Sequence, residues 1–222
     1  MVRSEALAPA LDAVRDRLRA TPVGRLLVGI TGPPAAGKST LATALAGALT
    51  RSAVPSVAVG MDGFHLANRE LERQGLAGRK GAPQTFDAHG FVHLLRRLRE
   101  PAEAVVYAPR FSRTLNESIG SAIPVQPGTR VIVIEGNYLL LDVGPWRLAR
   151  ELMDLVMYLD APDPTRRDAL MRRQLGRGLD LTAATDWVDG SDEANAQVIA
   201  ATRPHADLVL ERGPEALRRS RG

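Results

Sequence analysis

The sequence predicts an α/β fold: a doubly wound, mainly parallel five-stranded sheet with a small β-hairpin excursion and a helical lid. Apolar runs alternate with segments of helical periodicity along most of the chain, which is typical of parallel sheets. The run Val131–Ile134 is apolar throughout, as expected of a central strand buried on both faces. At 222 residues, the chain has the length of a single α/β domain spanning 1–222.

Hydrophobic periodicity gives the individual elements. Helices are predicted at residues 5–19, 38–50, 66–74, 86–100, 163–176 and 182–202. Strands of the sheet are predicted at residues 25–31, 54–60, 131–134, 155–159 and 208–210. We expect the second strand to lie beside the first. The β-hairpin is predicted from residues 104–109 and 123–125, inside an insertion at about 75–127.

Composition narrows the classes of function. The chain has no cysteine, which excludes disulfides and thiolate metal sites. No apolar run reaches the roughly 18 residues that a membrane helix needs, and the charged residues from Arg3 to Asp16 are unlike a signal peptide. We therefore expect a cytoplasmic protein without a membrane partner. No nucleic-acid partner is expected, because aromatic residues are only 4% of the chain and no basic stripe interleaves with them.

The stretch after the first strand carries the pattern G-x-x-x-x-G-K-S. Its strand–loop–helix context is that of a phosphate-binding loop, and a glycine-rich helix entry without a ligand is the alternative. Backbone N–H groups and the helix dipole can hold phosphates there. Lys38 can reach the β- and γ-phosphates of ATP, and the Ser39 hydroxyl can bind Mg²⁺. The predicted nucleotide-binding residues are Gly32, Ala35, Ala36, Gly37, Lys38, Ser39 and Thr40.

Two carboxylates follow predicted strands, at the edge of the sheet where ligands of such folds bind. Asp62 can accept the proton of an acceptor hydroxyl or bind Mg²⁺, and the alternative is an N-cap of the helix at 66–74. Glu135 can also bind the metal, and the alternative is a carboxylate that faces solvent. His65 lies beside Asp62 in sequence and is a candidate substrate contact.

A cluster of arginines predicts a lid at about residues 163–182. Arg166, Arg173 and Arg177 share one helix face, and Arg172 lies next to them. Guanidinium groups suit phosphate oxygens, so Arg173 and Arg177 are predicted at the transferring phosphoryl group and Arg172 on the nucleotide. An ordinary solvated helix face is the alternative.

These motifs together resemble the P-loop kinases of the phosphoribulokinase/uridine kinase/type I pantothenate kinase family. The similar segments are the phosphate loop, Met61–His65, Lys80–Asp87, Ile134–Tyr138 and Arg172–Asp180, which span most of the chain. The chain is most similar to bacterial nucleoside/nucleotide kinase-family proteins, including those named as fructose-transport-system kinases.

The resemblance implies a fold, two cofactors and an acceptor site. It implies a P-loop kinase fold that uses ATP and Mg²⁺, with Asp62 as the base. Members of the family often dimerise, so it also implies that the chain can form a homodimer. It also implies that five residues lie around the acceptor: Lys80, Asp87, Tyr107, Arg110 and, in the E-G-x segment, Asn137.

The function predicted from the sequence is an ATP-dependent kinase that phosphorylates an alcohol group of a small polar metabolite. Tyr107–Phe111 and Leu179 depart from the uridine kinase pattern, so sugar, nucleoside and pantothenate-like acceptors all stay open. The first alternative is a regulatory P-loop NTPase acting on a protein partner. No Asn precedes a Lys, so the guanine-specific N-K-x-D motif is lacking. A nucleic-acid-dependent NTPase is the second alternative.

Overall fold

A computed structural model describes residues 5–100 and 103–212 of the chain. The parts of the predicted 1–222 domain at 1–4, 101–102 and 213–222 lie outside the described residues. Seven strands are present in the described part: β1 Leu26–Thr31, β2 Ser56–Gly60, β3 Val106–Ser112, β4 Glu117–Val125, β5 Val131–Glu135, β6 Leu155–Asp160 and β7 Leu208–Glu211. Five of them form a parallel sheet in the order β2-β5-β1-β6-β7. This architecture confirms the predicted fold class.

Helices cover both faces of the sheet. They are α1 Leu7–Ala20, α2 Lys38–Arg51, α3 Asn68–Arg73, α4 Ala88–Arg99, α5 Trp146–Glu151, α6 Asp163–Leu175, α7 Leu181–Trp187 and α8 Glu193–Ala200. On one face α4 and α5 bury Phe91 and Trp146, and on the other α1 and α2 bury Val14 and Leu45. The π-helical turn Val188–Asp192 joins α7 to α8, which accounts for the single helix predicted at 182–202. The sequence analysis missed α5.

The strand order corrects one prediction, because β2 does not lie beside β1. β5 lies between them and pairs with both, through Gly29 to Ile134 and Val59 to Ile134. The difference in burial explains the order: Val131–Ile134 are fully buried, whereas most of β2 is only partly buried. The all-apolar strand takes the interior position, and the less apolar strand takes the edge.

The hairpin is longer than predicted. β3 and β4 pair antiparallel from Val106 opposite Val125 to Ser112 opposite Glu117, with a register shift between Ala108 and Arg110. Most residues of the outer half are partly or fully exposed. The outer half has no sustained alternation of hydrophobic and polar residues, so periodicity detected only the inner half.

The helices of the described part include none with both the length and the apolar character needed to cross a membrane.

Candidate active site

The topology brings three strand ends together at the carboxyl edge of the sheet. β2, β5 and β1 are neighbours in that order, and they are followed by Asp62, by Glu135 at the end of β5, and by the phosphate loop. Glu135 is in register with both Gly60 of β2 and Ile30 of β1. Asp62 is therefore one strand farther from the loop than the sequence predicted, and Glu135 occupies the position between them.

The phosphate loop has a backbone geometry suited to an anion. Gly32 and Gly37 have φ values of +146° and +103°, and Ala35 has a φ of +63°. A Cβ on Gly32 would lie 2.3 Å from the carbonyl oxygen of Leu159, so only glycine fits against β6. No side chain caps α2 at Gly37, which leaves the first N–H groups of the helix available to a ligand.

Lys38 lies buried inside this loop, with 7% of its surface exposed. Its Nζ donates to the carbonyl oxygens of Gly32, at 2.8 Å, and Pro33, at 3.0 Å. Burial lowers the pKa of Lys38 to about 8, although the carboxylates of Glu135 and Asp62 oppose the shift. The ammonium is thus held by neutral oxygens, and a phosphate can replace them with a favourable charge interaction.

Glu135 and Ser39 form the second part of the site. The Ser39 hydroxyl donates to Glu135 Oε1 at 3.0 Å. Burial and the charge of Asp62 raise the pKa of Glu135 to about 7, against the effects of Lys38 and Ser39. A hydroxyl beside two carboxylates is an oxygen set that suits Mg²⁺. Within residues 5–100 and 103–212 there is no group of three or more His, Asp or Glu that could hold a metal, so a Mg²⁺ ion bound at this site would need phosphate oxygens as further ligands.

Asp62 lies in the short 3₁₀ turn Met61–Phe64 that follows β2. The turn packs under the hairpin, because a Cβ on Gly63 would lie 2.6 Å from the carbonyl oxygen of Pro109. α3 begins only at Asn68, with Ala67 as its N-cap residue, so the helix-capping alternative for Asp62 is wrong. Among the described residues, none donates a hydrogen bond to the half-buried Asp62 carboxylate, and its charge still acts on Lys38 and Glu135.

His65 packs between aromatic rings beside Asp62. Its ring centroid lies 4.0 Å from that of Phe86 and 4.8 Å from that of Phe111. Nδ1 is 2.8 Å from the backbone oxygen of Asp62; a carbonyl only accepts, so Nδ1 carries the proton. Burial lowers the pKa of His65, which favours the neutral ring with Nε2 as a hydrogen-bond acceptor.

A cleft of about 940 Å³ lies between α3, the hairpin turn and the loop after α6. The predicted lid arginines Arg172, Arg173 and Arg177 line it, together with Lys80. Arg177 donates to the Asn116 side chain at the tip of the hairpin and to Gln174 Oε1 at 3.2 Å. The lid segment is therefore joined to the hairpin across the cleft.

Several predicted residues lie elsewhere. Arg166 shares the helix face but is buried at the base of α6, where it pairs with Asp163 at 2.6 Å and approaches the Pro34 oxygen at 3.5 Å. Asp87 caps α4 by accepting from the Gly90 N–H at 2.8 Å. Tyr107 and Arg110 are exposed on β3 and are not among the described residues that line the cleft.

Asn137 comes two residues after Glu135, beyond the carboxyl end of β5. Its backbone oxygen accepts from the Thr31 hydroxyl at 3.0 Å, which ties the segment after β5 to the end of β1. The side chain is half-buried.

Sequence reasoning missed Arg113, Asn116 and Arg212. Arg113 and Asn116 line the cleft from the hairpin turn, and no motif marks them. Arg212 donates to the backbone oxygens of Ala35, at 3.2 Å, and Ala36, at 3.3 Å, and so braces the phosphate loop. It directly follows β7, so the rule that ligands bind beyond strand ends could have found it.

Comparisons with known proteins identify the family of the chain. Residues 27–218 match the family described as Phosphoribulokinase / Uridine kinase family. A Schizosaccharomyces pombe protein provisionally named as a uridine kinase is 33% identical over 195 residues, which are 84% of this chain and 83% of the relative. The pantothenate kinase of Leifsonia xyli is 32% identical over a region that covers 90% of this chain and 69% of the relative's length.

A solved structure is also similar. It is the structure of a protein from Silicibacter sp. TM1040 that is provisionally described as a fructose transport system kinase. It superposes with a TM-score of 0.84 at 43% identity, over 91% of this chain and 98% of the other. The chain therefore belongs to the phosphoribulokinase/uridine kinase family and is a small-molecule kinase.

Proposed function

We propose that the protein transfers the γ-phosphoryl group of ATP, with Mg²⁺, to an alcohol group of a small polar metabolite. The observation that carries this proposal is the placement of an unpartnered Asp62 carboxylate beside the buried Lys38 and the Ser39–Glu135 pair. Phosphoryl transfer needs a phosphate cradle, metal ligands and a base near the acceptor. The carboxyl edge of β2, β5 and β1 offers all three.

The nucleotide phosphates are assigned to the loop from Gly32 to Thr40. Lys38 Nζ would exchange the Gly32 and Pro33 oxygens for those of the β- and γ-phosphates, replacing two neutral contacts with charged ones. Arg212 holds the carbonyls of Ala35 and Ala36 on the far side of the loop. The cradle therefore keeps its shape when Lys38 changes partners.

Ser39 and Glu135 are the residues that would hold Mg²⁺, and Asp62 is left free for the role of base. When bound, the ion neutralises charge on the phosphate oxygens. Glu135 has to give up its proton first, because its raised pKa of about 7 leaves it partly protonated at neutral pH. The Ser39 hydroxyl already lies against Glu135 and orients it.

Asp62 is assigned the role of base. Its carboxylate takes the proton from the acceptor hydroxyl as the acceptor oxygen bonds to the γ-phosphorus, and the bond from that phosphorus to the bridging oxygen of ADP breaks. Arg173 of the lid stabilises the charge on the moving group, whereas Arg177 is held at the hairpin tip by Asn116 and is left out of this step. His65 presents Nε2 as an acceptor next to Asp62, in a position to receive a second hydroxyl of the substrate.

The acceptor is assigned to the side of the site formed by Lys80, Asn137 and the cleft. The cleft wall includes Lys80, and Asn137 comes two residues after Glu135. The placement of Asp87, Tyr107 and Arg110 outside the cleft gives these residues no part in the proposal.

The first test is ATP binding and ADP release by the wild-type protein and by Lys38→Met, with Arg51→Met as a control on the exposed end of α2. We expect Lys38→Met to lose nucleotide binding and the control to behave as wild type. ADP release should depend on an added acceptor. Steady phosphate release without any acceptor would instead support the regulatory NTPase, and unchanged ATP handling by Lys38→Met would contradict the cradle.

A further inference from the structure

The cleft beside the proposed phosphoryl-transfer site has an unusual balance of charge. Its lining contains five cationic side chains and one carboxylate, that of Glu72. The cations are Lys80, Arg113, Arg172, Arg173 and Arg177. Within the described ranges, none of these five forms an ion pair with a carboxylate.

Arginines elsewhere in the molecule differ from this cluster. Arg73, Arg167 and Arg203 pair with Glu70, Asp189 and Asp160, respectively. Arg96 and Arg97 form no ion pair within residues 5–100 and 103–212, but they lie on the exposed face of α4. Unpaired cations on open surface are screened by water and salt, whereas five that converge on one concave site attract anions into it.

Neutral groups hold the cations nearest the hairpin turn in place. Lys80 Nζ donates to the Asn116 backbone oxygen at 2.7 Å and to the Asn68 side chain. Arg177 donates to the Asn116 side chain. Burial lowers the pKa of Lys80, although the Glu117 carboxylate opposes the shift, so the charge of Lys80 is kept at a cost that an anionic ligand would offset further. Asn116 thus places two cations side by side without neutralising either.

The nucleotide accounts for only part of this positive charge. Lys38 binds within the phosphate loop. The charge of Arg173 acts on Lys38 and the carboxylate of Asp62 acts on Arg173, which places Arg173 on the nucleotide side. Lys80 and Arg177 gather instead around Asn116 at the far wall. A neutral sugar or nucleoside would leave these two cations facing water.

We propose that the acceptor is itself an anion: an alcohol that also bears a carboxylate or phosphate group, which binds Lys80 and Arg177 at the hairpin tip while its hydroxyl faces Asp62. This inference rests on the proposed function and specifies its substrate class. The anionic group only anchors the molecule and is unchanged in the reaction.

Matched acceptors test the proposal. The pairs are glycerate and glycerol, pantothenate and pantothenol, fructose 6-phosphate and fructose, and uridine 5′-monophosphate and uridine. For at least one pair we expect kcat/KM to be about 10- to 100-fold higher for the charged member, as a charge-assisted contact provides. The carboxylate and phosphate pairs show which anion the site takes. Preference for a neutral member throughout would overturn the proposal.

Variants locate the effect. Lys80→Met should raise KM for the preferred charged acceptor by about tenfold and leave KM for its neutral partner and for ATP nearly unchanged. Arg97→Met, on the exposed face of α4, is the matched control. An equal loss for charged and neutral acceptors would mean that Lys80 only supports the fold, and would overturn its assigned role.

If the protein phosphorylates no member of any pair, isothermal titration calorimetry tests the proposal. The same compounds are titrated into protein saturated with Mg²⁺ and a non-hydrolysable ATP analogue. Binding of a charged member alone supports the proposal, and absence of binding by every charged member overturns it. Failure of the proposed function is distinguishable, because the ATP analogue itself would then not bind, or would bind Lys38→Met equally well.

Discussion

The two sides of the proposed site are built differently. On the nucleotide side, Lys38 is 7% exposed and donates to two backbone oxygens of its own loop. On the acceptor side, the arginines that line the cleft are exposed, and they extend from α6, from the loop after it and from the hairpin turn. The first side is fixed by backbone geometry within one short segment, and the second by side chains from segments far apart in sequence.

This difference explains what each side can do. A backbone cradle positions phosphate groups, which all nucleoside triphosphates share. The sequence of such a loop tolerates little change. Side chains such as those of Lys80 and Arg177 can be exchanged without disturbing the sheet, because they extend from loops and helix ends. Specificity for the acceptor therefore depends on the less constrained side.

The largest effect is expected at the junction of the two sides, from Asp62→Asn. Loss of the base should lower kcat by about 10²- to 10⁴-fold, while the ATP dissociation constant stays near wild type. Steady-state kinetics with a nucleotide-binding titration measures both quantities. Asp12→Asn, on the exposed face of α1, is the control. A kcat within a few-fold of wild type would remove Asp62 from the role of base.

The rigidity of the nucleotide side is tested by Gly32→Ala. The new Cβ would meet the Leu159 oxygen at 2.3 Å, so the free energy of unfolding should fall by about 1–3 kcal/mol more than in the control. Gly24→Ala is that control, since Gly24 also has a positive φ, of +84°, but has no neighbour within 4 Å. Urea unfolding compares them, and equal losses would show that the contact with β6 is unimportant.

The pH dependence of metal binding gives a smaller effect. Mg²⁺ binds the carboxylate form of Glu135, whose pKa is raised to about 7. The affinity should therefore rise as pH increases, by about tenfold between roughly pH 6 and pH 8. Mg²⁺ titrations in the presence of an ATP analogue measure it. Glu135→Gln should remove this part of the pH dependence of Mg²⁺ affinity. An unchanged slope of affinity against pH in that variant would contradict the assignment of Glu135 as a Mg²⁺ ligand.

The smallest effect is expected from Asn116→Gly on the acceptor side. Asn116 has a φ of +53°, which glycine adopts readily, so the turn and the backbone contact to Lys80 are kept. Only the side-chain contact to Arg177 is lost. The acceptor KM should rise by about 2- to 10-fold, without a change in the ATP KM. A change confined to the ATP KM would place this contact on the nucleotide side.

The same contrast governs what the sequence could predict. The loop and the carboxylates Asp62 and Glu135 were predicted because a short motif and the ends of apolar strands mark them. The position of β5 between β1 and β2 was not, since order depends on relative burial across the whole sheet.

The acceptor side was predicted less well. Lys80 lines the cleft, but Asp87 caps α4. Local likeness to a motif gives the sequence position of a residue, and the fold around it decides where its side chain points. Arg113 and Asn116 reach the cleft only because the polar ends of β3 and β4 pair, and hydrophobic periodicity gives no signal for that pairing.

A crystal structure with Mg²⁺ and a non-hydrolysable ATP analogue tests the central claim most directly. We predict β- and γ-phosphates on the N–H groups from Gly32 to Thr40, Lys38 Nζ moved from the Gly32 and Pro33 oxygens to the phosphates, and Asp62 facing the γ-phosphate. An empty loop, or an Asp62 carboxylate turned away from the bound phosphates, would contradict the account.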